Sequence, residues 1–198
     1  MNSPARHPSA ARQRILDTAY ELFSQNGIRP VGIDRIIAEA GVAKMTLYKH
    51  FPAKIDLALA FLDLREERWT RDWLQSEIDR LAASPRDRLL VPFDAFDEWF
   101  HRDDFEGCSF INTLLETHGT EPLHQAAVTH LAIVKDVLEG YADEAGMSDP
   151  EEVALQLQTL MMGSIVSASR GDREAARRAR GVAELILDNG PAGATRTA

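Results

Sequence analysis

The sequence predicts an all-α protein of about nine helices. Apolar residues recur at the three- and four-residue spacings of helix faces along most of the 198 residues, and no stretch shows the alternation of a strand. Glycines and the pairs Ser-Pro and Asp-Pro divide the chain where helices are expected to end and begin. Apolar residues make up 44% of the chain, which is ample for a packed core.

The first helix is predicted over about residues 11–25, before Gly27. Its apolar stripe consists of Ile15, Leu16, Ala19, Tyr20, Leu22 and Phe23. Two short helices follow it. The apolar face of the first consists of Ile33, Ile36, Ile37 and Ala40. Gly41 ends that helix, because glycine enters the left-handed cap conformation without steric cost, and the second helix directs Leu47 and Phe51 inward.

Pro52 ends the second short helix, and a long helix is predicted over about residues 54–81. Ser84 and Pro85 supply the cap and the first residue of a fifth helix, in which Pro92 is expected to cause a kink. Four further helices are predicted over about residues 108–117, 122–145, 150–170 and 173–188.

The two short helices form a helix-turn-helix at about residues 33–52. Because Leu47 and Phe51 face inward, basic and hydroxyl side chains remain on the outer face of the second helix. These outward residues are Lys44, Thr46, Tyr48, Lys49 and His50. A helix-turn-helix of this kind places its second helix in the major groove of DNA. We therefore expect this face to contact double-stranded DNA.

These segments resemble the tetracycline-repressor (TetR) family of bacterial transcription regulators. The resemblance rests on residues 14–27, 33–40, Gly41-Val42, Thr46-Leu47-Tyr48, His50-Phe51 and Lys54. It implies a DNA-binding domain over residues 10–70 and a helical ligand-binding and dimerisation domain over residues 71–190. It also implies that bases or phosphates are contacted by Lys44, Met45, Thr46, Tyr48, His50 and Lys54. Beyond Leu81 the chain is similar only to the helical plan of the family.

Four positions depart from the pattern of the family. Its members commonly have serine or threonine at the helix caps, whereas this chain has Gly32, Ala43 and Ala53 there. None of these residues offers a hydroxyl to a backbone amide or to a phosphate. Met45 stands where a small residue is frequent, so we expect it to add an apolar contact with a base.

The charge is distributed unevenly along the chain. The net charge is −9, but residues 1–55 carry eight Lys and Arg against four Asp and Glu. That segment is therefore positive by four charges, and the remainder is negative by thirteen. A basic module joined to an acidic body fits a protein that reads DNA with one end only.

The sequence predicts a cytoplasmic protein. Cys108 is the single cysteine, which excludes an internal disulfide and suits a reducing compartment. No apolar run approaches the roughly 18 residues of a membrane span. The first residues lack the apolar stretch of a signal peptide. Cys108 is expected at a helix start, where the dipole lowers a thiol pKa; we favour a small buried thiol over a redox sensor.

No motif indicates an enzyme, a cofactor or a metal. His118, His124 and His130 are six residues apart, a spacing that scatters them around a helix. The sequence contains no glycine-rich phosphate loop, no nucleophile elbow and no paired acid motif. We therefore expect no catalytic residues and no metal ligands.

The last two helices are predicted to form a homodimer. Residues 153–169 are apolar or small beyond the needs of one buried stripe, and the final helix adds a further apolar face. Two helices from each subunit would form a four-helix interface. The residues predicted there are Leu160, Met161, Gly163, Ser164, Ile165, Ala168, Ala179, Val182, Leu185 and Ile186.

An aromatic cluster in the second domain is either core or the lining of a ligand pocket. Its members are Phe93, Phe96, Trp99, Phe100, Phe105 and Phe110, and all but Phe105 are predicted to line the pocket. Small apolar ligands lodge in the interiors of helical bundles, and the plan of the family implies a ligand pocket here. The long helix from Lys54 would then act as a lever that links this pocket to the DNA-binding domain.

These observations favour a ligand-responsive transcriptional regulator, most simply a dimeric repressor that a small hydrophobic ligand releases from a palindromic operator. A DNA-binding regulator that answers to a partner protein is the first alternative. A helical scaffold or an enzyme with a purely structural helix-turn-helix is the second. The basic outer face at Lys44, Lys49 and Lys54 argues against the second alternative, because a motif used only for packing has no need of it.

Overall fold

The structure, a computed structural model, describes residues 9–190, and over that range it consists of helices without a strand. The nine helices are α1 (Ala10–Asn26), α2 (Ile33–Ala40), α3 (Lys44–His50), α4 (54–81), α5 (Pro85–Phe100), α6 (Ser109–Glu116), α7 (Pro122–Glu144), α8 (Pro150–Ser169) and α9 (Ala175–Asn189). The all-α prediction is confirmed, and the predicted helix ends lie within two residues of the observed ones. Across the described residues, no helix has both the length and the apolarity to cross a lipid bilayer.

The local signals that predict the helix ends take the expected form. The Ser84 hydroxyl accepts a bond from the Asp87 amide, and the Asp149 carboxylate accepts one from the Glu152 amide. Gly41 adopts the left-handed conformation with φ of 61°. That conformation turns the chain from α2 into α3, and it is the step that sets the two short helices against each other.

Helix α4 is continuous but changes its hydrogen-bond pattern in the middle. Lys54–Arg65 and Gln75–Leu81 are α-helical, whereas Glu66–Leu74 is a π-helix in which amides bond to carbonyls five residues back. Apolar spacing predicts the long helix but does not indicate the π-helical segment. We refer to Glu66–Leu74 as the π segment.

Two hydrophobic cores share this helix. The head core lies between α1, α2, α3 and the first part of α4, and its fully buried side chains include Ile15, Phe23, Ile36, Leu47 and Phe61. The body core lies between the last part of α4 and the later helices. Its fully buried side chains include Leu89, Phe93, Phe96, Phe100 and Leu157. Each core removes large apolar side chains from water, the main favourable contribution to folding.

A buried arginine ties the head to the body. Arg65 is 8% exposed, and its Nη1 donates to the Tyr20 hydroxyl at 3.1 Å and to Ser24 Oγ at 3.3 Å. The same nitrogen lies 3.7 Å from a carboxylate oxygen of Glu106, in the loop of residues 101–108. Burial raises the pKa of Glu106, and the positive charge of Arg65 opposes that rise. One side chain of α4 thereby contacts both α1 and this loop.

A second link between the cores is made by Phe110 of α6, which packs into the head core although its helix lies in the body. Its ring stacks on the imidazole of His130 in α7, with ring centroids 3.4 Å apart. His130 is 4% exposed, and its Nδ1 is buried without a hydrogen-bond partner. Burial disfavours the charged imidazolium and lowers the pKa of His130 to about 4.

We predict that His130→Leu reduces the loss of stability between about pH 6.5 and pH 4. In the unfolded chain the pKa of histidine is about 6.5, so above that pH the ring is neutral in both the folded and the unfolded protein and its protonation does not affect stability. Below that pH the imidazole becomes protonated in the unfolded chain but stays neutral in the folded chain. The unfolded state is thereby favoured, and the wild-type protein loses stability. With a folded pKa of about 4, the loss is on the order of 3 kcal/mol. Denaturant unfolding of both proteins across this pH range measures the difference.

His118→Leu is the control, since the side chain of His118 is exposed on the surface. The His118 variant should follow the wild-type pH dependence, and the His130 variant should depart from it. Parallel curves for wild type and His130→Leu would show that the buried ring does not govern the acid sensitivity.

Candidate nucleic-acid interface

The rotation of α3 is fixed by its inward residues. Leu47 is fully buried in the head core, and Phe51 at the end of the helix is 2% exposed. Arg12 of α1 lies over the Phe51 ring, with its guanidinium carbon 4.9 Å from the ring centroid. Because Leu47 and Phe51 hold one side of α3 against the head core, the opposite side of the helix must face solvent.

The predicted DNA-contacting residues all lie on or beside α3. The exposed ones are Lys44, Met45, Tyr48 and Lys49, and the half-buried ones are Thr46, His50 and Lys54. Met45 is 85% exposed and Tyr48 is 41% exposed, so neither side chain is buried in the head core. An apolar and an aromatic side chain beside two lysines give this face the chemistry needed to contact base edges and phosphates.

Two of the residues on α3 already have polar partners. The Lys44 ammonium lies 3.5 Å from a carboxylate oxygen of Asp34 in α2, and both side chains are well exposed. An exposed ion pair of this kind is weak, so a phosphate can compete for the ammonium. His50 Nε2 lies 3.1 Å from the hydroxyl of Ser9, which also caps α1. This bond places His50 between α3 and the start of α1.

Lys54 is turned towards the protein. Its ammonium donates to the backbone carbonyl of Arg29 at 3.1 Å, and burial lowers the pKa of Lys54. The ammonium has three donors, so it can hold this carbonyl and a phosphate oxygen together. Arg29, in the loop between α1 and α2, therefore lies beside the candidate interface. The sequence alone does not indicate this bond, because residues 29 and 54 are far apart in the chain.

The missing helix caps are a structural fact of this head. Gly32, Ala43 and Ala53 precede α2, α3 and α4 with extended backbones, and none of them caps its helix through a side chain. Of these three helix starts, only that of α4 has a side-chain capping bond, and it comes from within the helix. The Asp56 carboxylate accepts a bond from the Ala53 amide at 2.8 Å. The start of α3 is therefore held by backbone bonds and by Leu47.

The residues predicted for a ligand pocket lie in packed core. The side chains of Phe93, Phe96, Trp99, Phe100 and Phe110 are at most 6% exposed. Four of them belong to the body core and Phe110 belongs to the head core. Trp99 also lines a cleft, which lies between α1, α4, α5 and the loop of residues 101–108. A pocket centred on the four phenylalanines would require them to separate.

Cys108 stands at the N-cap position of α6. Burial raises the pKa of its thiol. The effect of burial is therefore opposite to the lowering that a helix dipole would produce, and it favours an inert thiol over a reactive thiolate.

The residues predicted for the dimer interface divide between two sides of α8 and α9. Met161, Ser164, Ile165, Ala168 and Ala179 are buried within the protomer's own body core. Gly163, Val182 and Leu185 are exposed, and Leu160 and Ile186 are half-buried. The exposed apolar residues Leu155 and Val166 lie on α8 as well and were not among those predicted. They are separated by 11 residues, three helical turns, so both side chains lie on the same side of α8.

The fold and the exposed face of α3 define a class: helix-turn-helix proteins with a three-helix reading head and a larger helical body. The profile of the tetR family of bacterial regulatory proteins matches residues 15–61. A TetR-family transcriptional regulator from Streptomyces coelicolor has the same fold, with a TM-score of 0.84 and 30% sequence identity. That alignment covers 92% of this chain and 91% of the Streptomyces chain. The chain belongs to the tetR family of transcriptional regulators.

Curated relatives match less than half of the chain. An uncharacterized helix-turn-helix regulator from Mycobacterium tuberculosis is 33% identical over 87 residues, which span 44% of this chain and 42% of the relative. The transcriptional activator FasR of Mycolicibacterium smegmatis is 33% identical over 92 residues, which span 46% of this chain and 41% of the activator. The match thus spans less than half of this chain and less than half of each relative.

We predict that Ala43→Ser stabilises the protein by about 0.5–2 kcal/mol. Ala43 has the extended conformation of a cap residue, with φ of −71° and ψ of 146°, and lacks only the hydroxyl. Serine at this position can accept a bond from an amide in the first turn of α3. Ala38→Ser, at an exposed position inside α2, is the control and should destabilise slightly through its lower helix propensity. Thermal unfolding that moved both variants in the same direction would contradict the missing-cap explanation.

Proposed function

We propose that the protein is a cytoplasmic, homodimeric and ligand-responsive transcriptional regulator that binds a palindromic operator and represses transcription. The observation that carries this proposal is the outer face of α3. Lys44, Met45, Tyr48 and Lys49 are exposed side by side on a helix whose rotation is fixed by the buried Leu47. A helix with no role beyond packing has no reason to expose this combination of side chains.

The charge distribution supports the same orientation on DNA. Residues 1–55 are positive by four charges and the rest of the chain is negative by thirteen. The head is attracted to phosphates while the body is repelled, so approach is steered towards α3. Because phosphate contacts release counterions, the affinity should fall steeply as salt rises.

The first experiment measures binding of the purified protein to the DNA that flanks its own gene. The double variant Lys44→Ala/Tyr48→Phe should bind a wild-type operator at least about tenfold more weakly, because a lost base contact costs about 1–3 kcal/mol. Its thermal stability should change little, since both side chains are exposed and outside the core.

Arg170→Ala is the matched control, because Arg170 is an exposed cation on the body at the end of α8. It should leave operator binding at a fixed salt concentration unchanged. Equal binding by the wild type and the double variant would overturn the assignment of α3 as the reading helix.

The dimer is supported by the outward apolar stripe of α8 and α9. Leu155, Val166 and Val182 are 43–45% exposed and Leu185 is 61% exposed. Apolar side chains this exposed on two adjacent helices form a patch that a second copy can cover. A twofold dimer also explains how two heads reach successive major grooves, which lie about 34–36 Å apart.

We predict that Gly163→Arg yields a monomer. A side chain at Gly163 meets nothing within 4 Å in the protomer, so the variant should fold while placing a charge in the proposed interface. Gly140→Arg is the control, because Gly140 is a helical glycine of α7 that is equally open. Sedimentation velocity at micromolar concentration should show a monomer for the first variant and a dimer for the control. A dimeric Gly163→Arg would exclude this stripe as the interface.

The ligand response is supported by the position of α4. This helix contributes to both cores, so a change in the body that moves its second half also acts on the head. A ligand that prefers the body conformation with low DNA affinity must weaken operator binding by the same factor, because linkage is reciprocal. Control by a partner protein would use the same helix. It would be favoured if no small molecule changed operator affinity.

Repression is the simpler mode of action, because a dimer bound at a promoter can block transcription without a further contact. The Mycolicibacterium relative is named an activator, so family membership alone does not decide between the two modes. Transcription in vitro from the native promoter distinguishes them. A fall in transcript on adding the protein supports repression, and a rise would replace it by activation.

A further inference from the structure

A carboxylate stands beside the first residue of the reading helix. Asp34 belongs to the first turn of α2, and one of its carboxylate oxygens lies 3.5 Å from the Lys44 ammonium. The side chains of Asp34 and Lys44 are 88% and 64% exposed, so both are surrounded largely by solvent. The N-terminal residues of a recognition helix are those that contact base edges. The position of Lys44 therefore brings Asp34 close to the bases of bound DNA.

The other acidic residues of the head before α4 are engaged elsewhere. Asp17 accepts a bond from an arginine of α4 at 2.9 Å, and Glu39 accepts one from Arg35 of its own helix at 2.8 Å. Glu21 lines the cleft between head and body. Of these four acidic residues, Asp34 is thus the one that contacts a residue predicted to bind DNA.

An exposed carboxylate at this place opposes contact with the DNA backbone. A phosphate that reaches the Lys44 ammonium also meets the negative charge of Asp34 beside it, and the two anions repel each other. The edge of a base pair carries no net charge and is not repelled in this way. Asp34 therefore makes this part of the face less suited to a phosphate than to a base pair.

The two side chains together offer a donor beside an acceptor. The ammonium only donates, and the ionised carboxylate only accepts. In the major groove, guanine presents the acceptors O6 and N7, and cytosine presents the N4 amino donor. O6 and N4 are bonded to each other within the pair at about 2.9 Å, and N4 keeps one hydrogen free in the groove. The 3.5 Å between the ammonium nitrogen and the carboxylate oxygen is close to that spacing.

Other base pairs match this arrangement less well. Thymine O4 and adenine N6 also place an acceptor beside a donor, but thymine offers the ammonium one acceptor next to a methyl group, whereas guanine offers two acceptors. Reversal of the G·C pair would bring the cytosine donor to the ammonium and the guanine acceptors to the carboxylate. The arrangement therefore favours one base pair in one orientation.

We propose that Asp34 is a specificity-determining residue, which together with Lys44 reads one G·C pair in each half of the operator. Lys44 donates to guanine, and Asp34 accepts from N4 of the paired cytosine. We call these two residues the reading pair. The inference rests on the DNA-binding role of α3 in the proposed function, and it adds to that face a base-reading side chain from α2. Because an exposed ion pair is weak, the reading pair can bond to bases without a cost to the fold.

The test selects bound sequences from a library of random DNA duplexes, with the wild-type protein and with Asp34→Ala, Lys44→Ala and Glu39→Ala. Asp34→Ala and Lys44→Ala should each reduce the preference for the same G·C pair by at least about fivefold, because each removes one half of the same recognition. The preferences of Asp34→Ala at the remaining positions should stay as in the wild type. Fluorescence anisotropy with the selected duplex and its single-base-pair variants measures these ratios.

Glu39→Ala is the matched control, because it removes an equal charge from an exposed carboxylate of the same helix. Residues 34 and 39 are about 140° apart around α2, so Glu39 lies on another side of it. Both Asp34→Ala and Glu39→Ala gain one positive charge, so both should bind duplexes without the selected site more tightly at low salt. Only Asp34→Ala should lose base discrimination. Base preferences of Asp34→Ala that equal those of the wild type or of Glu39→Ala would overturn the reading role.

The outcomes also separate this inference from the proposed function. A wild-type protein that selects no sequence would contradict specific DNA binding and the reading pair together. A selected site at which Asp34→Ala and Lys44→Ala affect different base pairs, or share an A·T pair, would leave the DNA-binding assignment intact and overturn the reading pair. Thermal unfolding of the variants should change little, because the substituted side chains are exposed, so lost preferences report recognition and not folding.

Discussion

The architecture depends on the sharing of α4 between two hydrophobic cores. Leu57 and Phe61 are buried in the head core, and Leu74 and Ile78 in the body core, so the helix cannot leave either without exposing apolar surface. That surface is the main source of stability, so the two halves are held together by the same free energy that folds each of them. In this arrangement the position of the reading helix is inseparable from the packing of the body.

The buried Arg65 fixes the orientation of α1 relative to α4. Removing a charge from water is expensive, and an ion pair with Glu106 at 3.7 Å compensates for only part of it. The hydroxyls of Tyr20 and Ser24 complete the shell, and both belong to α1. Apolar contacts alone would permit several packings of α1 on α4. A cation with hydrogen-bond partners in fixed directions favours one of them, which makes orientation the main contribution of this residue.

Much of the fold could be predicted from the sequence, because the relevant signals are local. Gly41 requires a left-handed turn, Asp149 and Pro150 begin a helix, and Leu47 faces inward by simple spacing. The outward face of α3 follows from that last residue. Lys44, Met45, Tyr48 and Lys49 are exposed as this spacing predicts, whereas Thr46, His50 and Lys54 are half-buried.

Other features depend on contacts between distant residues and left no local signal. Helix α8 is apolar nearly all round, so spacing could not tell the inward stripe of Met161 and Ile165 from the outward stripe of Leu155 and Val166. The meeting of Trp99 with Trp69 depends on how α5 crosses α4. The large phenylalanines suggested a pocket, whereas their close packing in the body core fills that space.

The π segment has a consequence for angular register. A π-helix places more residues in each turn than an α-helix does, so the nine residues of Glu66–Leu74 rotate the second half of α4 less than an α-helical path would. The azimuth of Leu74 and Ile78 relative to Phe61 is therefore set by the number of residues in this segment. Insertion or deletion of one residue there would turn the body about the helix axis and would displace Leu74, Trp69 and Trp73 from their places in and against the body core. In a dimer of the proposed kind, the length of this segment would therefore help to set the spacing and tilt of the two heads.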